Sequence, residues 1–256
     1  RITPAERRSK VLAYLRAMQK ELRVEKLASL LHVSPLTVRR DLEQLARDRT
    51  IIRTHGGCLA VGRAALESEY HCKVALNFEL KEAIGRETVK QVKSGDILLI
   101  NDGSTTFHLA SLLGERGPLT VYTNSLAMIS ELSRFSSIRL YILGGEYISE
   151  QYSLRGSLTE QVLESIHPDS VFLGADAIDE EGQCLVMTPE EARMTQVMLR
   201  SGTKKYLLAD HTKFGAKGYV AYGTLQDFDM WITTPGVSRI KIGDFRHKTQ
   251  IKEATP

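Results

Sequence analysis

The stretch "SPLTVRRDLEQL", residues 34–45, sets two adjacent arginines into a helical apolar repeat. At about 100° per residue, Val38, Leu42 and Leu45 fall into one narrow seam that must pack against other helices. Leu36 and Arg40 then lie nearly opposite the seam, flanked by Thr37 and Arg39. Such a face suits the DNA major groove, where a guanidinium donates two hydrogen bonds to guanine and an outward leucine meets a thymine methyl. Leu36, Thr37 and Arg40 are expected to read base edges, and Arg39 to contact phosphate. Ser34 caps this helix and Pro35 takes its first position, so both stand at the end that reaches the groove. A competing reading pairs the arginines with Glu43, Asp41 or Glu25 as surface ion pairs of little energetic value. Arg53, Thr54 and His55 precede Gly56-Gly57, where a hairpin tip would lay Arg53 and His55 on phosphate or in the minor groove. A tight turn alone also accounts for the two glycines.

A second cluster suits a small anion. "LLINDGSTTFHLA", residues 98–110, reads as a strand, a small-residue turn and a helix. Asp102-Gly103-Ser104-Thr105-Thr106 opens that helix, so free N–H groups and the positive dipole end face the strand's carboxyl edge, with three hydroxyls beside them. The pattern fits a phosphate. It is not a P-loop, since no lysine follows the glycine, and no GxGxxG is present. Taken alone it is also an ordinary N-cap. Other strand ends bring polar groups to the same rim, where open α/β sheets bind ligands: Thr123-Asn124, Gly144-Gly145-Glu146, Asp176 with Asp179, and Asp210 with Lys213. Carboxylates and Asn124 suit sugar hydroxyls, and Lys213 suits a phosphate or carbonyl oxygen. Arg155, in "EQYSLRG", stands either as an arginine closing over the anion or as a surface residue.

Elements in the right order must position these groups. Thr3-Pro4-Ala5-Glu6 forms a capping box before a helix with Val11, Leu12, Leu15 and Met18 on one face. A second helix spans about Val24 to Leu31, "HVS" turns, and the arginine helix follows. "TIIRTHGGCLAV" is a small hairpin. Three helices and a hairpin within residues 1–60 describe a winged helix-turn-helix. Residues 61–80 lack periodicity and read as a linker. From 81 to 256 apolar strands such as "ILLIN", "LTVYTN", "IRLYILGG", "SVFLGADAID", "KYLLAD" and "MWITT" alternate with amphipathic helices. That alternation predicts a Rossmann-like, mostly parallel sheet covered on both faces. Residues 235–256 carry no functional signal.

Charge divides along the same line. Of 256 residues with net charge +3, residues 1–60 hold 13 Lys/Arg against 6 Asp/Glu (+7), and the rest hold 21 against 25 (−4). One end is suited to a polyanion, the other to a different task. Cys58, Cys72 and Cys184 have no metal spacing and are expected as reduced thiols of a cytoplasmic protein. No apolar run approaches the ~20 residues of a membrane span, and the first residues lack a signal-peptide core.

"RVEKLASLLHVSPLTVRRDLEQL…IIRTHGG" resembles the N-terminal signature of the DeoR family of bacterial transcriptional regulators, through residue 57, and residues 81–234 resemble its sensor region. The resemblance implies a repressor of a carbohydrate-catabolic operon, released by a phosphorylated sugar, acting as a homodimer or homotetramer on double-stranded operator DNA, with no cofactor and no membrane. It also brings in Glu191, in the sensor's helix-start motif "TPEEARM", which is otherwise a dipole-favoured first-turn acid. The sensor fold is similar to ribose-5-phosphate isomerase. Where that enzyme has D-G-A-D-E, this chain reads Leu173-Gly174-Ala175-Asp176-Ala177, lacking both outer carboxylates, so binding without isomerisation is expected. Sensors of the family commonly carry aspartate at Asn101 and asparagine at Thr188, so a particular sugar does not carry over.

Overall fold

The computed structural model describes residues 3, 4, 7, 8, 10, 11, 14, 15, 21–47, 51–54, 56–60, 70, 73–237 and 243–256; for 47, 52, 53, 59 and 60 it describes backbone only. The chain divides into two compact units, Arg1–Lys73 and Val74–Pro256.

In the first unit, helical residues between 4 and 15 bury Val11 and Leu15. Ala5, Glu6, Leu12 and Met18, which complete the expected first helix, lie outside the described residues. Helix α1 (Val24–Leu31) stops at His32, whose left-handed φ of 53° lets its N–H return to the carbonyls of Ala28 and Ser29. Histidine is one of the few side chains that visit this region at modest cost. The chain can then turn into helix α2 (Pro35–Arg47). Val38, Leu42 and Leu45 are buried against Val11, Leu15, Leu27 and Leu31 as the seam requires.

Asp41 is also buried, and both its oxygens go to Arg7, one of them at 3.0 Å from Nη2. Each charge is thereby compensated where water is excluded.

The wing has one strand more than the expected hairpin. Strands β1 (Leu22–Arg23), β2 (Ile51–Arg53) and β3 (Gly57–Ala60) form an antiparallel sheet in the order β1-β3-β2. A two-residue strand has no alternation to reveal it. Its pairing explains one of the two glycines: a Cβ on Gly57 would lie 2.2 Å from the carbonyl oxygen of Leu22, whereas Gly56 faces open space.

The second unit is built on a seven-stranded, wholly parallel sheet. Its strands are β4 (Ile97–Ile100), β5 (Leu119–Thr123), β6 (Ile138–Ile142), β9 (Ser170–Leu173), β12 (Lys204–Leu208), β14 (Met230–Thr233) and β15 (Gln250–Glu253), ordered β15-β14-β12-β9-β4-β5-β6. Alternate residues face two cores. Leu98, Ile100 and Phe172 pack with Ile84, Leu109 and Met128 on one side; Leu99, Val171 and Leu173 pack with Leu163, Met194 and Met198 on the other. The first face is covered by α3 (Phe78–Thr88), α4 (Ser104–Ala110) and α5 (Ala127–Leu132), the second by α6 (Ser157–Ser165) and α7 (Pro189–Ser201). Two smaller antiparallel sheets complete the unit. One pairs β7 (Glu146–Ile148) with β8 (Ser153–Arg155); the other orders β10 (Ala177–Ile178), β11 (Gln183–Val186) and β13 (Val220–Thr224) as β10-β11-β13.

Two differences from the sequence reading follow. Residues 78–80, assigned to the linker, begin α3; its inner face holds Lys81, Gly85 and Thr88, so the apolar periodicity that marks a helix is weak. The silent C-terminal stretch supplies edge strand β15 and the buried Phe245.

Asp41→Ala should destabilise the first unit by about 3 kcal/mol, because it strands the Arg7 guanidinium in a mostly buried place. Thermal unfolding followed by probes in each unit should show the loss in the first unit and none in the second.

Candidate DNA-reading surface and ligand cup

The reading helix is fixed at its start and along its seam. Ser34 Oγ accepts from the Thr37 N–H at 3.2 Å, and the two hydroxyls lie 2.9 Å apart, a reciprocal N-cap ahead of Pro35. With the seam buried, Ser34, Pro35, Leu36, Arg39 and Arg40 are all exposed and Thr37 is half-buried. Leu36 is 58% exposed. Asp41, weighed as a partner for these arginines, is committed to Arg7 and also lies 3.9 Å from Arg8. Among the described residues no ion pair reaches Arg40. Arg53 is in strand β2 but its side chain is not described, and His55 lies outside the described residues.

In the second unit the strand order reverses beside β4: the chain moves out through β5 and β6, then returns to β9 and moves out the other way. Loops leaving the carboxyl ends of β4 and β9 therefore diverge and open a crevice. Asn101 ties its two sides together. Its N–H donates to Phe172 O at 3.2 Å, and its Oδ1 accepts from Gly103 N at 3.2 Å, Gly174 N at 3.3 Å and Thr106 Oγ1 at 3.1 Å. An amide makes this tie without adding the negative charge that an aspartate would bring to the crevice floor.

The Asp102–Thr106 turn splits by role. Gly103 is the N-cap of α4, and Phe107 N returns to its carbonyl, as a helix start demands. Thr106 is fully buried with its hydroxyl turned onto the loop carbonyls, and Thr105 is 5% exposed. Ser104 Oγ accepts from Lys81 Nζ at 3.0 Å. Lys81 is 3% exposed and comes from α3, so a desolvated positive charge stands at the loop.

Opposite, Arg155 of β8 is 7% exposed and gathers two acids. Its Nη2 lies 3.3 Å from Asp102 Oδ2 and 3.7 Å from Glu191 Oε1, while Gln151 Nε2 donates to Glu191 Oε2 at 3.3 Å. Glu191 sits in the first turn of α7, and its N–H is capped by Thr188 Oγ1 at 3.2 Å. Thr188 thus does what an asparagine would do there. Gly145 passes so close to Arg155 that a Cβ would lie 2.2 Å from the Arg155 carbonyl oxygen. Asn124 is fully buried and braces the same strand, with Nδ2 donating to Leu154 O at 3.2 Å.

Asp176 is half-exposed past β9. Burial first, then the nearby Cys184, Asp176 and Glu191, push the Tyr222 hydroxyl well above the usual phenol range, so it stays a donor, bonded to Gly174 O at 2.8 Å. Asp210 is buried after β12 with Oδ1 accepting from Thr212 N, and Lys213 is half-exposed on the following turn. The structure therefore joins Asp102, Arg155 and Glu191 in one charged cluster. Among the described residues no ion pair includes Lys213 or Asp176.

Lys81 and Gln151 were missed by the sequence reading. For Lys81 a signal existed: with Ile84, Gly85 and Thr88 it shares the inward face of α3, where a lysine needs a reason. Gln151 had none, since a turn residue carries no period.

A winged helix-turn-helix followed by an α/β unit with a polar cup at its switch point is the build of a ligand-responsive, DNA-binding transcription regulator. Residues 7–63 match the DeoR-like helix-turn-helix domain and residues 76–234 the DeoR C terminal sensor domain; the chain belongs to the DeoR family. It is 29% identical over 252 residues to the uncharacterized HTH-type transcriptional regulator YulB of Bacillus subtilis, covering 98% of this chain and 97% of that protein. It is 30% identical over 220 residues to the glycerol-3-phosphate regulon repressor of Escherichia coli, covering 85% and 87%. Among solved structures, ribose 5 phosphate isomerase A from Neisseria gonorrhoeae overlaps 54% of each chain with a TM-score of 0.39 and 16% identity, which says nothing of chemistry.

Two substitutions separate the arginines. Arg40→Ala should cost roughly 1–3 kcal/mol of binding free energy and relax base preference at one operator position, whereas Arg39→Ala should weaken all sequences alike. Fluorescence anisotropy on specific and random duplexes decides it; equal losses on both duplexes for both variants would refute the assignment. For the cup, Lys81→Met should weaken binding of a phosphorylated ligand about 10- to 100-fold, as expected for loss of a charge-assisted hydrogen bond, by titration calorimetry.

Proposed function

We propose that the chain is a repressor of a carbohydrate-catabolic operon whose second unit binds a phosphorylated sugar and thereby releases DNA. The observation that carries this reading is the convergence, at one switch point, of a helix start with Ser104, the buried Lys81 and the Asp102–Arg155–Glu191 cluster. A cup of mixed sign suits a ligand with one anionic end and a hydroxylated body better than a bare anion. Lys213, Asp176 and Asn124 are assigned to the body, and the backbone N–H groups of Ser104 and Thr105 to the phosphate. The repressor sign is supported by the name of the Escherichia coli relative. Homodimers or homotetramers would present paired reading heads to palindromic half-sites in the cytoplasm.

Catalysis of isomerisation is disfavoured on geometry. Leu173 and Ala177, at the positions of the enzyme's outer carboxylates, are both 0% exposed and belong to strands. No base can be offered to a substrate carbon from either place.

The test pairs each of a panel of phosphorylated sugars with its unphosphorylated form. One phosphorylated member should raise the melting temperature and lower operator affinity, while its partner does neither. Release requires differential affinity for two states of the regulator, so stabilisation without any change in DNA binding would refute the coupling. Operator binding should also fall steeply with salt as counterions are released.

A further inference from the structure

The β7–β8 hairpin, Glu146–Arg155, meets the main sheet along Tyr152, Ser153 and Leu154. Ser153 makes a single antiparallel bridge to Ser125, Leu154 exchanges bonds with Asn124, and Leu126 N donates to Tyr152 O at 3.0 Å. Further attachments run through side chains, among them Arg155 to Asp102 and Glu191, and Gln151 to Glu191. Both roots of the hairpin are glycines in backbone states closed to most residues, Gly145 with φ of 152° and Gly156 with φ of 105°. Glycines at both ends can absorb the backbone change that a rigid rotation of the hairpin would need.

Beneath the hairpin lie polar atoms without partners. Ser125 Oγ, Ser153 Oγ, Asn124 Oδ1 and Gln151 Oε1 are all buried and make no hydrogen bond. Ser125 and Ser153 are cross-strand partners, so their side chains project from the same face of the bridge, roughly 5 Å apart at Cβ. Ser153 and Arg155 share one face of β8 by the two-residue period, and on that face Arg155 meets the Asp102 turn. Buried hydroxyls side by side and unbonded cost free energy unless something else supplies the partner.

We propose that the hairpin is a lid over the cup. Its inner face is a second subsite, in which Ser125 and Ser153 take a ligand hydroxyl and Arg155 exchanges its two carboxylates for the ligand's anionic group. This rests on the sensor reading given above and adds to it the residues that read the sugar body and the element that closes on it.

Hydrogen exchange on the 256-residue chain tests the lid without any ligand. The Leu126 and Leu154 amides should exchange faster than Val121 in the neighbouring strand, and Arg155→Gln should speed both about tenfold with Val121 unchanged. Equal protection at all three, or no response to Arg155→Gln, overturns the lid. Ser153→Ala should leave the ligand-free melting temperature unchanged or raise it, because no hydrogen bond is lost; a drop of several degrees would make the serine structural and overturn the subsite. Inorganic phosphate serves as the ligand probe, and at saturation it should slow Leu126 and Leu154 in the wild type but not in Arg155→Gln. Phosphate that binds without slowing them overturns the exchange at Arg155. Phosphate that does not bind overturns the anion site itself, while the ligand-free experiment still decides the lid.

Discussion

Asn101 is the point on which the sensor unit turns. Strands β4 and β9 carry the chain away in opposite directions, and nothing in a parallel ladder holds their outgoing loops together. One side-chain oxygen does so, accepting from the backbone of both loops and from Thr106. With the loops fixed, Gly103 can start α4 and Ser104 can face Lys81. Without that tie, the N–H groups of Gly103 and Gly174 would lose this acceptor, while the Thr106 hydroxyl would keep the carbonyls of Asn101 and Gly103.

Three charged groups of the crevice compensate one another. Arg155 spans Asp102 and Glu191, and Glu191 is further held by Gln151 and by its place at a helix N-terminus. The low-dielectric setting that strengthens these pairs also makes the loss of one partner costly.

The DNA-binding unit solves a different problem. A unit of about 70 residues has little core to spend, and its reading helix must keep one face free for DNA. Apolar residues on the seam, the Arg7–Asp41 pair and a third wing strand hold that helix from behind. Leu36 and Arg40 stay exposed on the face opposite the seam.

Residue order alone determined a good deal here. Periodicity placed Val38, Leu42 and Leu45 inside and Leu36 and Arg40 outside, because which face is buried is written in spacing along one helix. Alternating strands and helices likewise put polar groups at the carboxyl ends of the strands, since a sheet covered on both faces leaves only its edges for polar work. Only the tertiary structure decided the pairings. Lys81 meets Ser104 across 23 positions, Arg155 meets Asp102 across 53, and Arg7 meets Asp41 across 34. Such contacts join elements whose local patterns are independent of one another, so no window along the chain contains them. They exist because packing brings the elements together, and a buried charge must then find its partner wherever the fold has put it.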